Sequence, residues 1–241
     1  MRRLVVVLLG GVALILPATA TATAGAAPAG ARSGVEKVVF VDYAAGAPAQ
    51  QRTASASATD FHLLGGHPSW GTASVTYSVD ATHCTGDCTN AAAAVENAFN
   101  TWEVSGIAFT ASSTGDANPC GGTDSVTWAP IDGPGGTLAA TSVCRIIATK
   151  QIVGFQTVFD SGDVWSDSGA AGRFDIQATA THEEGHSIGL DHVHSPFDAR
   201  LTMYPFISPG DIGFRTLGCG DRLGVNALYG TTLDCTGVPL D

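Results

Sequence analysis

The sequence predicts an α+β domain built on one twisted sheet, and three observations carry that prediction. Short runs with alternating or continuous apolar residues fill the first part of the chain, with one run at helical spacing among them. A second helix begins near Phe174, and a loop-rich tail carries one last short helical run. In chain order, Val35 to Tyr43 (VEKVVFVDY) reads as a single strand inside a segment otherwise rich in Ala, Gly, Ser and Pro. Val75 to Val79 alternates as a strand, and Asn90 opens a helix whose Val95, Phe99 and Trp102 share one face. Gly106 is placed to stop that helix, after which Ile107 to Thr110 forms the next strand. Further strands fit Ser125 to Trp128, Leu138 to Ile147 and Val153 to Phe159, and a final helix fits Arg222 to Tyr229.

Length and composition bound the function. The 241 residues suit one well-buried domain, and with 44% apolar and only 14% charged residues a packed core is expected. A formal charge of −11 disfavours nucleic acid or anionic lipid as partner, while acidic surface can hold calcium. Met1-Arg2-Arg3 followed by an apolar run that ends at Pro17, then small residues, reads as a signal peptide over 1–27. The run is too short for a spanning helix, which needs roughly 20 apolar residues, so a secreted, soluble chain is expected. Residues 28–60 would be a pro-segment or a linker, and 61–241 the folded domain. Six cysteines in an exported chain point to disulfides. Proximity alone suggests Cys84 with Cys88, Cys120 with Cys144, and Cys219 with Cys235.

The segment from Thr181 to His192, THEEGHSIGLDH, carries the functional argument. Residues four apart on a helix lie one turn apart on the same face, so His182 and His186 can reach one ion. Gly189 permits a positive φ that ends the helix and swings His192 round as a third donor. Three histidines leave a fourth position open, the arrangement of a catalytic rather than a structural zinc. Glu183 then serves as general base for the zinc-activated water and as proton donor to the leaving amine. HExxH alone arises by chance on amphipathic helices; HExxHxxGxxH followed by Met203 in LTMYP is far more specific. Met203 is expected to form an apolar floor beneath the histidines.

On these residues the chain resembles the metzincins, and among them the matrixins. Trp70 with Val75-Thr76-Tyr77 is similar to the family's first strand, Ala94 to Trp102 to its first helix, and Gly224 to Gly230 to its last. The resemblance implies a five-stranded mixed sheet, three helices, and an active-site helix followed by a methionine turn. It also implies a structural calcium: Asp132-Gly133-Pro134-Gly135-Gly136-Thr137 looks like the family's calcium loop, and Phe159 to Trp165 its partner. Ligands would come from Asp132, Gly133, Gly135, Thr137, Asp160 and Asp163, since calcium takes about 6 to 8 hard oxygens. A substrate peptide would lie antiparallel to the strand at Leu138 and Ala139, with the main side-chain pocket walled by Tyr204, Pro205 and Phe206. Ile207 stands where many relatives have tyrosine.

Two departures matter. The positions aligned with a second zinc are Ser125, Thr127, Ala140 and Val158, so one zinc is expected rather than two. No cysteine precedes Cys84, so the thiol that keeps many animal matrixins latent is absent. His194 has no motif role and is expected in an outer shell or at the surface. The expected function is thus a secreted, monomeric zinc endopeptidase acting on protein or peptide substrates. The rival readings are a zinc-bearing peptide-binding module without activity and a metal-dependent amidase acting on cell-wall peptides.

Overall fold

A computed structural model describes residues 34–45, 58–112, 119–121 and 124–238, so the expected signal peptide lies outside the described residues. Seven strands concern us: β1 (Val35–Ala44), β2 (Ser74–Asp80), β3 (Ala108–Ser112), β4 (Asp124–Ala129), β5 (Thr137–Ile146), β6 (Gln151–Asp160) and β7 (Phe206–Ile207). They form one mixed sheet in the order β7-β1-β5-β6-β4-β2-β3, with the short strand Ser69–Trp70 paired to β6 as an eighth member. The five strands expected of the family, β2 to β6, are its body. The correction to the expected count is at the margins, where β1, β7 and Ser69–Trp70 extend it to eight.

β2, helix α1 (Ala91–Trp102) and β3 make a parallel crossover, in which the helix returns the chain to the starting end of the sheet, as parallel neighbours require. Helix α1 buries Ala91, Ala94, Val95, Ala98, Phe99 and Trp102, the i, i+3, i+4 stripe legible in the sequence. It closes through a short 3-10 turn onto Gly106, whose φ of 83° a residue with a Cβ adopts only under strain. Phe99 packs on Tyr77 with ring centroids 3.9 Å apart. The Trp102 indole donates a 2.6 Å hydrogen bond to the Thr181 carbonyl, joining α1 to α2.

Helix α2 (Ile176–Ser187) starts two residues later than expected, because Phe174 and Asp175 are extended and Asp175 caps the helix by accepting from Ala178 N at 2.8 Å. Its side chains are buried nearly all round, so it lacks the polar face of a surface helix. Helix α3 (Cys219–Tyr229) starts three residues earlier than expected: the Asp221 carboxylate reaches back to accept from Gly218 N at 2.8 Å, which nucleates the first turn. All three disulfides pair as proximity suggested. No helix among the described residues is long and apolar enough to cross a membrane.

Candidate metal centre

Helix α2 presents His182 and His186 on one face, and the chain turns back at Gly189 (φ 106°) to bring in His192. The reversal is tight. A Cβ on Gly189 would lie 2.2 Å from the Pro68 carbonyl oxygen, so the glycine is required by space as well as by φ. The three Nε2 atoms lie 3.0 to 3.1 Å apart in every pairing.

Hydrogen bonds on the far side of two rings decide what those nitrogens are. Nδ1 of His182 donates to the Thr202 carbonyl at 2.5 Å, and Nδ1 of His186 donates to the Leu190 carbonyl at 3.0 Å. Each bond places the proton on Nδ1 and leaves an Nε2 lone pair pointing at the other ring. Burial, reinforced by the two neighbouring imidazoles, holds His186 well below its ordinary pKa, so it stays neutral. Lone pairs converging at 3 Å repel unless a cation lies among them, and a tetrahedral zinc with Zn–N near 2.0–2.1 Å has donor separations of this order. The residues fit a zinc ion.

Support for this geometry comes from beneath. Met203 is 2% exposed and lies against Gly185, where a Cβ would come within 2.2 Å of the Met203 sulfur and 2.9 Å of Trp102. The buried Asp221 carboxylate accepts from Thr202 N at 2.9 Å and Met203 N at 3.2 Å, fixing the turn whose carbonyl orients His182. Val193 N donates to the Met203 carbonyl at 3.0 Å, tying the third-ligand segment to the same turn. At the other end, Tyr229 donates to the Ile188 carbonyl at 2.6 Å and the Trp70 indole to the Ser187 carbonyl at 2.9 Å, holding the C-terminus of α2. Neither Gly185 nor Asp221 stood out in the sequence, since each acts through a residue distant in the chain.

Glu183 is fully buried, and neither carboxylate oxygen has a hydrogen-bond partner. Burial pushes its pKa well above the usual carboxylate range, the Asp42 carboxylate raises it further, and the Thr141 hydroxyl opposes them. Such a carboxyl is a proton acceptor of raised basicity beside the histidines, as general base chemistry requires.

A fourth donor is one the sequence reasoning missed. The Asp42 Oδ1 atom lies 2.8 Å from His182 Nε2 and 2.9 Å from His192 Nε2, and the four residues form the one candidate metal cluster among the described residues. Asp42 is fully buried, as are His182 and His186 beside it. The signal available was an acidic residue at an inward position of an apolar alternation, two residues after Phe40.

Of the expected peptide cleft, both walls are present and β1 runs between them. It pairs antiparallel with β5, Asp42 opposite Ala139, and parallel with β7. Leu138 and Ala139 are buried under it, and the carbonyl of the buried Pro205 accepts from Tyr43 N at 3.1 Å. Tyr204 is half-buried, and exposed Phe206 lies 6.0 Å from the Tyr43 ring. His194 is exposed, its ring 6.1 Å from His192.

The two halves of the expected calcium loop also meet. Asp160 accepts from the amides of Ile131, Asp132, Gly133 and Gly162 at 2.8 to 3.2 Å, and Asp163 Oδ1 from Gly135 N at 2.8 Å. Asp132 accepts from the amide and hydroxyl of Thr137. Asp163 Oδ2 is buried without a partner, and burial, with the neighbouring aspartates, raises that carboxyl's pKa.

Known proteins resemble this chain. The family model described as matrixin matches residues 69–230. An interstitial collagenase of Equus caballus is 31% identical over 188 residues, 75% of this chain and 37% of the relative. A neutrophil collagenase of Homo sapiens is 30% identical over 176 residues, 70% of this chain and 35% of the relative. A matrilysin of Homo sapiens is 37% identical over 101 residues, 42% of this chain and 34% of the relative. The chain therefore spans about a third of the length of these relatives.

Proposed function

Since the chain belongs to the matrixin family of metalloproteases, we propose that it is a secreted zinc endopeptidase that cleaves internal peptide bonds of proteins, with Glu183 as general base. The observation that carries the proposal is the convergence of three imidazole Nε2 atoms beside the buried Glu183 carboxylate. When bound by His182, His186 and His192, zinc supplies a Lewis acid and a water whose pKa is near 7. Glu183 takes the proton from the attacking water as the water oxygen bonds to the peptide carbon. It returns that proton to the amine nitrogen as the carbon–nitrogen bond breaks. Once β1 is displaced, the edge of β5 that it covers and the carbonyls of Pro205 and Ile207 orient an extended substrate by backbone hydrogen bonds, while Tyr204, Pro205 and Phe206 select the side chain.

Export is supported by the basic, then apolar N-terminal sequence and by three disulfides, which persist in oxidising compartments. A calcium ion at Asp132, Asp160 and Asp163, completed by the carbonyls of Gly133, Gly135 and Thr137, is part of the proposal; the orphaned Asp163 oxygen supports it. The test is casein clearing by wild type and Glu183→Ala, each first cut with trypsin that is then quenched by a serine-protease inhibitor, and each with and without 1,10-phenanthroline. Wild type alone, without chelator, should clear, and excess zinc should restore the chelated sample. Equal clearing by Glu183→Ala would overturn the mechanism and leave a different base to be found.

A further inference from the structure

Strand β1 lies where an extended substrate would lie. It runs antiparallel to β5 from Val35 to Tyr43 and parallel to β7 at Tyr43 and Ala44. Its backbone uses the hydrogen-bonding groups of both walls: Tyr43 N donates to the Pro205 carbonyl at 3.1 Å, Ala44 N to the Gly136 carbonyl at 2.9 Å, and Ala45 N to the Ile207 carbonyl at 2.8 Å. Phe40 and Asp42 point inward while Val39 and Tyr43 face solvent, the period-2 alternation of a strand with one buried face. Phe40 stacks on the His186 ring at 4.0 Å and 6°. At the far end, Glu36 pairs with Arg145 at 2.7 Å.

The register puts a carboxylate, not a peptide carbonyl, at the centre. Asp42 Oδ1 is within 2.9 Å of two ligand nitrogens, and a register shift between Asp42 and Tyr43 displaces the backbone locally. A carboxylate oxygen beside three imidazole nitrogens completes a four-donor set of the kind that closes a metal site.

We propose that Val35–Ala44 is an intramolecular inhibitor, that Asp42 is the fourth ligand of the catalytic metal, and that cleavage within residues 46–57 opens the site. The proposal rests on the zinc endopeptidase reading and adds to it a protein-supplied group at the position that the attacking water needs. Latency here comes from a carboxylate in a strand of substrate polarity. Residues 46–57, GAPAQQRTASAS, offer one basic residue, Arg52, for a trypsin-like activator. Released, β1 has no covalent tether to the cleft, so its high effective concentration is lost.

The test uses the full chain with Glu183→Ala, which prevents self-cleavage, with Asp42 retained or replaced by alanine or asparagine. Each protein is loaded with zinc, its zinc content measured, and binding of a peptidic hydroxamate followed by calorimetry. With Asp42 present, hydroxamate should bind on the order of a hundredfold more weakly than in Asp42→Ala, because the competent open state is rarely populated. Asp42→Asn keeps the shape of the strand but gives up the anionic donor, and should fall between; it decides the matter if Asp42→Ala does not fold. Cutting the Asp42 protein with trypsin after Arg52 should raise hydroxamate affinity towards that of Asp42→Ala. Equal hydroxamate binding by all three intact proteins at one zinc per chain would overturn the inhibitory role while leaving the endopeptidase reading intact. Failure of every form to hold zinc would instead sink that reading and this one with it.

Discussion

Replacing Gly189 by alanine separates the local from the tertiary demands on the metal centre. At φ 106° an L-residue is strained, and the added Cβ would meet the Pro68 carbonyl oxygen at 2.2 Å, an atom of the backbone that cannot rotate aside. The conformational cost is about 1–2 kcal/mol, and forced repacking adds roughly 1–3 kcal/mol. For a domain of this size about 2–4 °C of Tm is lost per kcal/mol, so the expected fall is on the order of 5–20 °C. The reversal at Gly189 also aims His192, so zinc affinity should fall by on the order of tenfold or more, as when outer supports of a ligand are disturbed. Both quantities are measurable in a Glu183→Ala background, Tm by circular dichroism and affinity by competition with a chromophoric chelator. Gly106→Ala is the control: φ there is 83° but nothing lies within 4 Å of the added Cβ, so only the conformational cost applies and zinc affinity stays unchanged. Wild-type Tm and zinc affinity in Gly189→Ala would refute the argument that this glycine steers the third ligand.

Two further outcomes follow from buried groups around the site. Gly185→Ala should lower Tm by several degrees, because its Cβ displaces the Met203 side chain and with it the turn whose carbonyl holds His182. Adding Met203→Ala should recover part of the loss, and strictly additive effects in this double-mutant cycle would contradict the contact. Asp124 has its pKa pushed by burial from 3.8 to about 7, against the hydrogen bond from Phe155 N. The folded state thus favours the protonated form, and its contribution is fully present below pH 3.8 and lost as pH rises through about 7. Asp124→Asn removes that loss, which is at most about 4 kcal/mol at pH 8. Its Tm should exceed wild type at pH 8 and approach it at pH 4; the same difference at both pH values would show the carboxyl does not titrate as described.

The residues read most securely from the sequence are those whose geometry is local. His182 and His186 share a face because a helix repeats every 3.6 residues, and Gly189 reverses the chain because only glycine accepts that φ without strain. The same holds for the α1 stripe and for cysteine pairs close in sequence. Helix α2 lacks an amphipathic pattern, and its identity rests on the ligand motif instead, because its polar residues are buried along with its apolar ones. Its start at Ile176, two residues later than expected, follows from the pairing of Phe174 and Asp175 with Trp165 and Ser166, which holds them extended.

The sequence by itself pointed to the three histidine donors and to the proposed general base, since these lie within eleven residues of one helix and its reversal, His182 to His192. Tertiary structure decided the rest. Asp42 reaches His192 from 150 positions away because β1 pairs along β5, and Asp221 fixes the methionine turn from another helix. Helical periodicity is a property of consecutive residues, whereas strand pairing joins any two segments with compatible edges. A carboxylate in a short apolar strand therefore has no assignable partner until the sheet order is known.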